Sequence, residues 1–197
     1  VLSPNIASLQ VTADDKWLQM PIMQLGSGSV MNIAFDDLTH EYHRYAYKLE
    51  HCEADWTVSD QLFASDYCKG FADGNTIDDM EESINTSVQY THYRLQIPND
   101  RCVPTMSGNY RLTVYDDNTQ DTVFKACFMI VEQQTAVALG VTTNTDLDIN
   151  RSHQQVSMKL GYGALAVRDQ QKEIKTVVLQ NGSWTNAVCN ATPQYVK

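Results

Sequence analysis

The sequence has no run of basic residues. Its 14 Lys and Arg are scattered, and 24 Asp and Glu bring the formal charge of the 197-residue chain to −10. Nucleic acid is excluded as a partner on that ground, because phosphate binding needs clustered cations. No stretch approaches the roughly 18 consecutive apolar residues that cross a bilayer as a helix. Cys52, Cys68, Cys102, Cys127 and Cys189 are odd in number and irregular in spacing, which gives no disulfide framework, and no C-x-x-C pair suggests zinc. There is also no phosphate-binding loop, no G-x-S-x-G and no H-E-x-x-H. With no converging acid, base or nucleophile, the chain reads as non-enzymatic, with no cofactor, no metal and no small-molecule substrate. A start at Val1 rather than Met fits removal of a signal peptide and fits a trimmed chain equally.

What the chain does have is tyrosine, ten of them, in short alternating segments. Hydrophobic residues make up 43% and charged residues 19%, a globular balance rather than a disordered one. Strands are predicted over 6–11, 21–25, 30–35, 42–50, 88–97, 110–115 and 123–132, each bounded by turn residues. Tyr45, Tyr47 and Leu49 share one face of the fourth, with Arg44, Lys48 and Glu50 on the other. Tyr110, Leu112 and Val114 repeat that period of two, as do Phe124, Ala126, Phe128 and Ile130. Cys127, in that last strand, reads as a free buried thiol acting as a small hydrophobe. Seven such strands predict an all-β fold, an Ig-like or fibronectin-III-like antiparallel β-sandwich over residues 1–132.

The joint Gln133-Gln134-Thr135 is polar, and further strands are predicted over 137–141, 154–162 and 174–180. Val156, Met158 and Leu160 alternate as in a strand with one buried face. Three or four strands are fewer than a closed sandwich needs. Residues 133–197 therefore read as the first strands of a second, incomplete β-sandwich domain, the alternative being an extension of the first domain's sheets.

The stretch 57–85 breaks the alternation. A connection this long predicts a short helix or a cover folded over the sandwich, pinned by its aromatic residues. It is also where the charge concentrates: between Glu53 and Glu82, nine carboxylates stand against one cation, Lys69. A solvated acidic loop is the simplest reading. The functional one is a partner-binding patch of Asp73, Asp78, Asp79, Glu81 and Glu82. The spacing of Asp73, Asp78 and Asp79 does not fit an EF-hand. Of the histidines, His43 and His51 sit too far apart on one strand to share a metal without His92, so satisfied strand histidines are expected. Asp55 before Trp56 is expected to bond backbone in a turn, with Trp56 capping the core.

The run from Tyr45 to Trp56, Y-A-Y-K-L-E-H-C-E-A-D-W, resembles a segment of the type IX secretion system plug protein family. Further matches follow: Phe35-Asp36-Asp37-Leu38, Ser65-Asp66-Tyr67 with Gly70-Phe71, Tyr90-Thr91-His92-Tyr93, Ile97-Pro98-Asn99 and Ser107-Gly108-Asn109-Tyr110. In the second part His153-Gln154, and Val178-Leu179-Gln180-Asn181 with Trp184, also fit. The resemblance covers nearly the whole chain, as the N-terminal half of a longer protein. It implies export, a periplasmic location against the outer membrane, and a partner in the outer-membrane secretion translocon, whose pore such proteins plug. Cys68 and Cys102 depart from the family pattern. A glycan- or surface-binding accessory module is the alternative, from exposed aromatics and the Ig-like pattern.

Overall fold

The computed structural model describes residues 2–163 and 165–190, so residues 191–197 of the expected second domain lie outside the described residues. The chain divides into two compact units, 1–132 and 133–197.

The first unit runs β1 (Ile6–Ala13), β2 (Ile22–Gln24), β3 (Met31–Asp37), β4 (Tyr45–Cys52), α1 (Ala64–Tyr67), β5 (Cys68–Gly70), β6 (Asn75–Thr76), β7 (Asp79–Glu82), β8 (Thr91–Ile97), β9 (Cys102–Pro104), β10 (Gly108–Asp116) and β11 (Thr122–Val131). One sheet has the order β1-β3-β8-β7 and the other β2-β11-β10-β4-β6. This is the immunoglobulin arrangement, four strands in ABED order facing a sheet centred on the C, F and G strands. Pairing is antiparallel throughout these sheets except at β2, which runs parallel to β11. The strongly alternating strands sit centrally and the short ones at the edges, as their capacity to bury side chains requires.

Between the sheets, Met31, Ile33 and Phe35 of β3 meet Leu49, Leu112, Phe124 and Phe128, all essentially inaccessible to solvent. Phe35 stacks on Tyr93 (centroids 5.2 Å apart) and meets Phe124 and Tyr45 edge-on. Each fully buried large side chain of this kind contributes about 1.5–3 kcal/mol, and aromatic pairs add about 0.5–1.5 kcal/mol. The tyrosines need partners for their hydroxyls, and they have them. Tyr110 donates to Met106 O at 2.7 Å, the tyrosine corner of such sandwiches. Tyr45 donates at 2.8 Å to Asp37, which is fully buried and also accepts from Thr39 N and Oγ1.

The alternation places Cys127 on the outer face of β11, exposed, because Ala126 and Phe128 take the inward positions. The expectation of a buried thiol there is overturned. The stretch 57–85 does carry a short helix, α1, but also three strands that its sequence does not announce. Of its aromatic residues only Tyr67 is buried; Phe63 and Phe71 are 78% and 72% exposed, and Ala72 and Ile77 do the anchoring instead.

The described residues of the second unit form two hairpins, β12 (Ala136–Thr142) with β13 (Gln155–Gly161), and β14 (Val177–Gln180) with β15 (Ser183–Cys189), plus the one-turn α2 (Gln170–Glu173). β12 and β13 set Val137 opposite Leu160, Leu139 opposite Met158 and Val141 opposite Val156. The alternation seen in the sequence thus makes an apolar ribbon face. It is not a buried one: among the described residues of this unit, none is buried.

Candidate functional site

Residues 73–82 cross the lateral edge of the sandwich. β6 ends the five-stranded sheet by pairing with β4, and three residues later β7 ends the four-stranded sheet by pairing with β8. The crossing is held by Ile77, whose N–H donates to Tyr45 O at 2.8 Å and whose side chain is buried. Its carboxylates are therefore lifted to the surface on both sides of a buried anchor.

Of the five acidic residues singled out above, Asp78, Asp79, Glu81 and Glu82 come together along this edge. Arg101 donates to Asp78 at 2.8 Å, and Arg94, directly opposite Asp79 in the β7–β8 register, reaches both Asp79 (3.4 Å) and Glu81 (3.1 Å). Asp73 stands apart at the β5–β6 turn, bonded by the Tyr115 hydroxyl at 3.0 Å and by Gly74 N. A hydrogen bond from Thr76, helped by Arg101, holds the Asp78 carboxyl below the usual range, and Glu81 and Asp79 keep Arg94 firmly protonated. The two arginines, missed from the sequence, leave the edge acidic but not evenly so. The register of β7 on β8 brings Arg94 to it, and the turn after β8, tied by Asn99, brings Arg101. A row of charges on an edge strand also keeps that edge from pairing with another chain, and this structural role stands beside the functional one.

Next to this edge, a groove of about 840 Å³ runs over the outer face of the four-stranded sheet. Gln10, Asn32, Gln96 and Arg94 project into it from β1, β3 and β8, with Asp79 at one side and the exposed Trp17 at the other. Gln96 donates to Asn32 at 2.9 Å, so the floor is a polar ladder.

Four of the five histidines, His43, His51, His92 and His153, are engaged by neighbouring side chains. His92 meets Asp36 at 2.6 Å and His43 meets Asp116 at 3.2 Å. His51 lies 2.8 Å from Ser59 Oγ, which donates to Glu53 at 2.5 Å. Serine, histidine and carboxylate in contact invite comparison with a hydrolytic triad, but the order is wrong. The carboxylate accepts a hydrogen bond from the serine rather than orienting the imidazole, and both Ser59 and His51 are buried. Gly108 approaches this histidine so closely that a Cβ would collide with its Nε2. Among the described residues no group of three or more His, Cys, Asp or Glu converges as a metal site.

The sequence run from Tyr45 to Trp56 is accounted for by such contacts. Tyr47 shares hydrogen bonds with Asn99, whose side chain also ties Gln96 O, Arg101 N and Cys102 N into the turn after β8. Asp55 accepts from Thr57 N at 3.0 Å and Oγ1 at 2.6 Å, the expected turn, and Trp56 is half-buried at φ 67°. The resemblance seen in the sequence therefore rests on residues that build the sandwich.

A family model described as the first domain of the type 9 secretion system plug protein matches residues 6–132. The chain belongs to this family. A crystal structure of a hypothetical protein from Parabacteroides merdae shares 40% sequence identity and superposes with a TM-score of 0.93, over 100% of this chain and 49% of that one. The chain thus spans about half the length of that relative. No curated protein matches it. Membership in the plug family gives the chain a role associated with type IX secretion. The fold is shared to the level of the second unit, since the superposition includes residues beyond 132.

Proposed function

We propose that this plug-family chain is a non-enzymatic periplasmic component of the type IX secretion system, which docks on the outer-membrane translocon and closes its pore when no substrate is passing. The observation that carries the reading is the family match over the whole first sandwich. The geometry supports it in one respect. The run from Tyr45 to Trp56 that carries the sequence resemblance lies mostly in the core and its turns, which leaves docking to surfaces such as the acidic edge Asp78, Asp79, Glu81 and Glu82, with Asp73 apart from it. Carboxylates there would steer the chain onto a basic rim, raising the association rate more than the final affinity. The test is affinity capture of the full-length protein from cells of its host. Recovery of an outer-membrane translocon protein supports the proposal, and recovery of no outer-membrane protein sinks it.

The groove favours a second reading. An exposed Trp17 beside a floor of Gln10, Asn32, Gln96 and Arg94 has the makings of a glycan site, an aromatic face with amide and guanidinium donors. Binding on a glycan array that is lost in Trp17→Ala would favour it over docking; a blank array removes it.

A further inference from the structure

β5 and β9 form a two-stranded ribbon apart from the two main sheets, with Cys68 opposite Pro104 and Gly70 opposite Cys102. The two cysteines are therefore a diagonal pair on one face of the ribbon, two positions apart in register. Strand twist brings one diagonal of such a ribbon together and spreads the other. Here the sulfurs lie 3.2 Å apart, as free thiols, with both residues buried. The remaining cysteines are placed otherwise. Cys127 and Cys189 are exposed, and the Cys52 thiol turns to Glu50 O at 4.0 Å.

We propose that Cys68 and Cys102 are joined by a disulfide in the exported protein. A bond needs the sulfurs at about 2.05 Å, so they must close by about 1 Å, which small rotations of two side chains supply. The oxidant is a disulfide-donating oxidoreductase, or oxidised glutathione in the test tube. The thiolate of one cysteine attacks the donor disulfide, giving a mixed disulfide and one donor thiol. The second cysteine attacks the mixed disulfide, forms the Cys68–Cys102 bond and releases the second donor thiol. Both protons of the cysteine thiols end on the donor's two sulfurs, so two protein thiols are oxidised and one donor disulfide is reduced.

Burial, and then the neighbouring Cys68, push the Cys102 thiol far above its ordinary value, so the packed ribbon holds little thiolate. Oxidation therefore belongs to the folding chain, before the ribbon closes. Afterwards the same burial shields the bond from reductants, which makes it structural rather than regulatory. Its place gives it a consequence for the surface, because the closed segment between Cys68 and Cys102 contains β6, β7 and the whole acidic edge. The supply of a donor rests on the periplasmic reading above; the juxtaposition of the thiols does not.

The test is to unfold and reduce the purified chain, refold it in a glutathione buffer holding both redox forms, alkylate, digest and map by mass spectrometry. A linked pair of peptides carrying Cys68 and Cys102 is expected, with Cys52, Cys127 and Cys189 alkylated. The oxidised chain should also unfold at a higher urea concentration than the reduced chain. Alkylated Cys68 and Cys102 after refolding, or a bond from either to a different cysteine, overturns the proposal. A refolding experiment does not depend on where the chain works, so a failed capture of the translocon leaves its result standing.

Discussion

The two units of this chain share a sequence pattern and differ in what becomes of it. In the first, Tyr110, Leu112 and Val114 alternate along β10 and are fully buried, because a second sheet lies across them. In the second, Val137, Leu139 and Val141 alternate along β12 and face Leu160, Met158 and Val156 of β13, yet Val137, Leu139 and Val141 are each more than half exposed. Alternation specifies a strand with two unlike faces. It does not supply the layer that covers the apolar one, and a two-stranded ribbon on its own is marginal in water.

The sharpest way to break that comparison is a matched truncation. Leu112→Ala removes a fully buried side chain and should cost about 2–5 kcal/mol, read as a lowered urea midpoint of the first unit. Leu139→Ala, at a residue 59% exposed, should cost less than about 1 kcal/mol. Equal costs would mean that the ribbon face is covered in solution. Amide exchange followed along the chain should show the same order, with β10 and β11 protected far longer than β12 and β13.

A polar change of second rank probes what is special to the first unit's interior. Asp37 is buried with three hydrogen-bond donors around its carboxylate, two from Thr39 and one from Tyr45. Asp37→Ala leaves the Tyr45 hydroxyl without its acceptor, in a site where burial and then Asp37 already drive that hydroxyl's pKa well above its ordinary value. The expected loss is about 1–3 kcal/mol. Retained stability would show that water or a neighbouring group takes the aspartate's place. Among the described residues of the second unit none offers an equivalent, since none is buried.

The fold was legible where burial is two-sided and the strand is long enough to show its period. It was not legible at β6, two residues long, or at β7, Asp79-Met80-Glu81-Glu82, which has no strand propensity of its own and is a strand because β8 offers it an edge. The acidic residues could be singled out by charge alone. Their arginine partners lie 13 to 23 residues further along, and only the β7–β8 register, for Arg94, and the turn after β8, for Arg101, bring them together. Cys127 was legible and misread: the parity that sends Phe124, Ala126 and Phe128 inward already sends it out. The meeting of Cys68 with Cys102 needed the β5–β9 register, which three-residue strands do not declare.

Acid sharpens the comparison more gently. Burial opposes ionisation at Glu50, but Lys48 and Arg111 outweigh it and hold the carboxyl below its usual range. At Asp116 burial is likewise outweighed, by the N–H groups of Thr119 and Asn118 and by His43. A carboxylate with a depressed folded-state pKa contributes stability that is present above the unfolded value, about 4, and lost as pH falls through the folded one. The first unit's urea midpoint should therefore fall below about pH 4, and Glu50→Gln should flatten that decline by removing one titrating group. An unchanged slope would mean that Glu50 titrates alike in both states.

The smallest effect is expected at the acidic edge, and its smallness is what makes the edge testable. Asp79 and Glu81 share Arg94 across the β7–β8 pair, but all three side chains are close to half exposed or more. Exposed ion pairs contribute about 0–1 kcal/mol, because water and salt screen what the geometry offers. Asp79→Asn combined with Glu81→Gln should leave the urea midpoint within that margin, and the residual cost should vanish at high salt. The pair also leaves Ile77, the buried anchor of the crossing, untouched. A variant that folds normally and loses capture of the translocon would place docking at this edge; one that folds normally and keeps it would move docking to another face of the sandwich. If instead the double variant unfolds the first unit, the edge belongs energetically with the core, and the division between a buried framework and a thinly held charged rim is wrong.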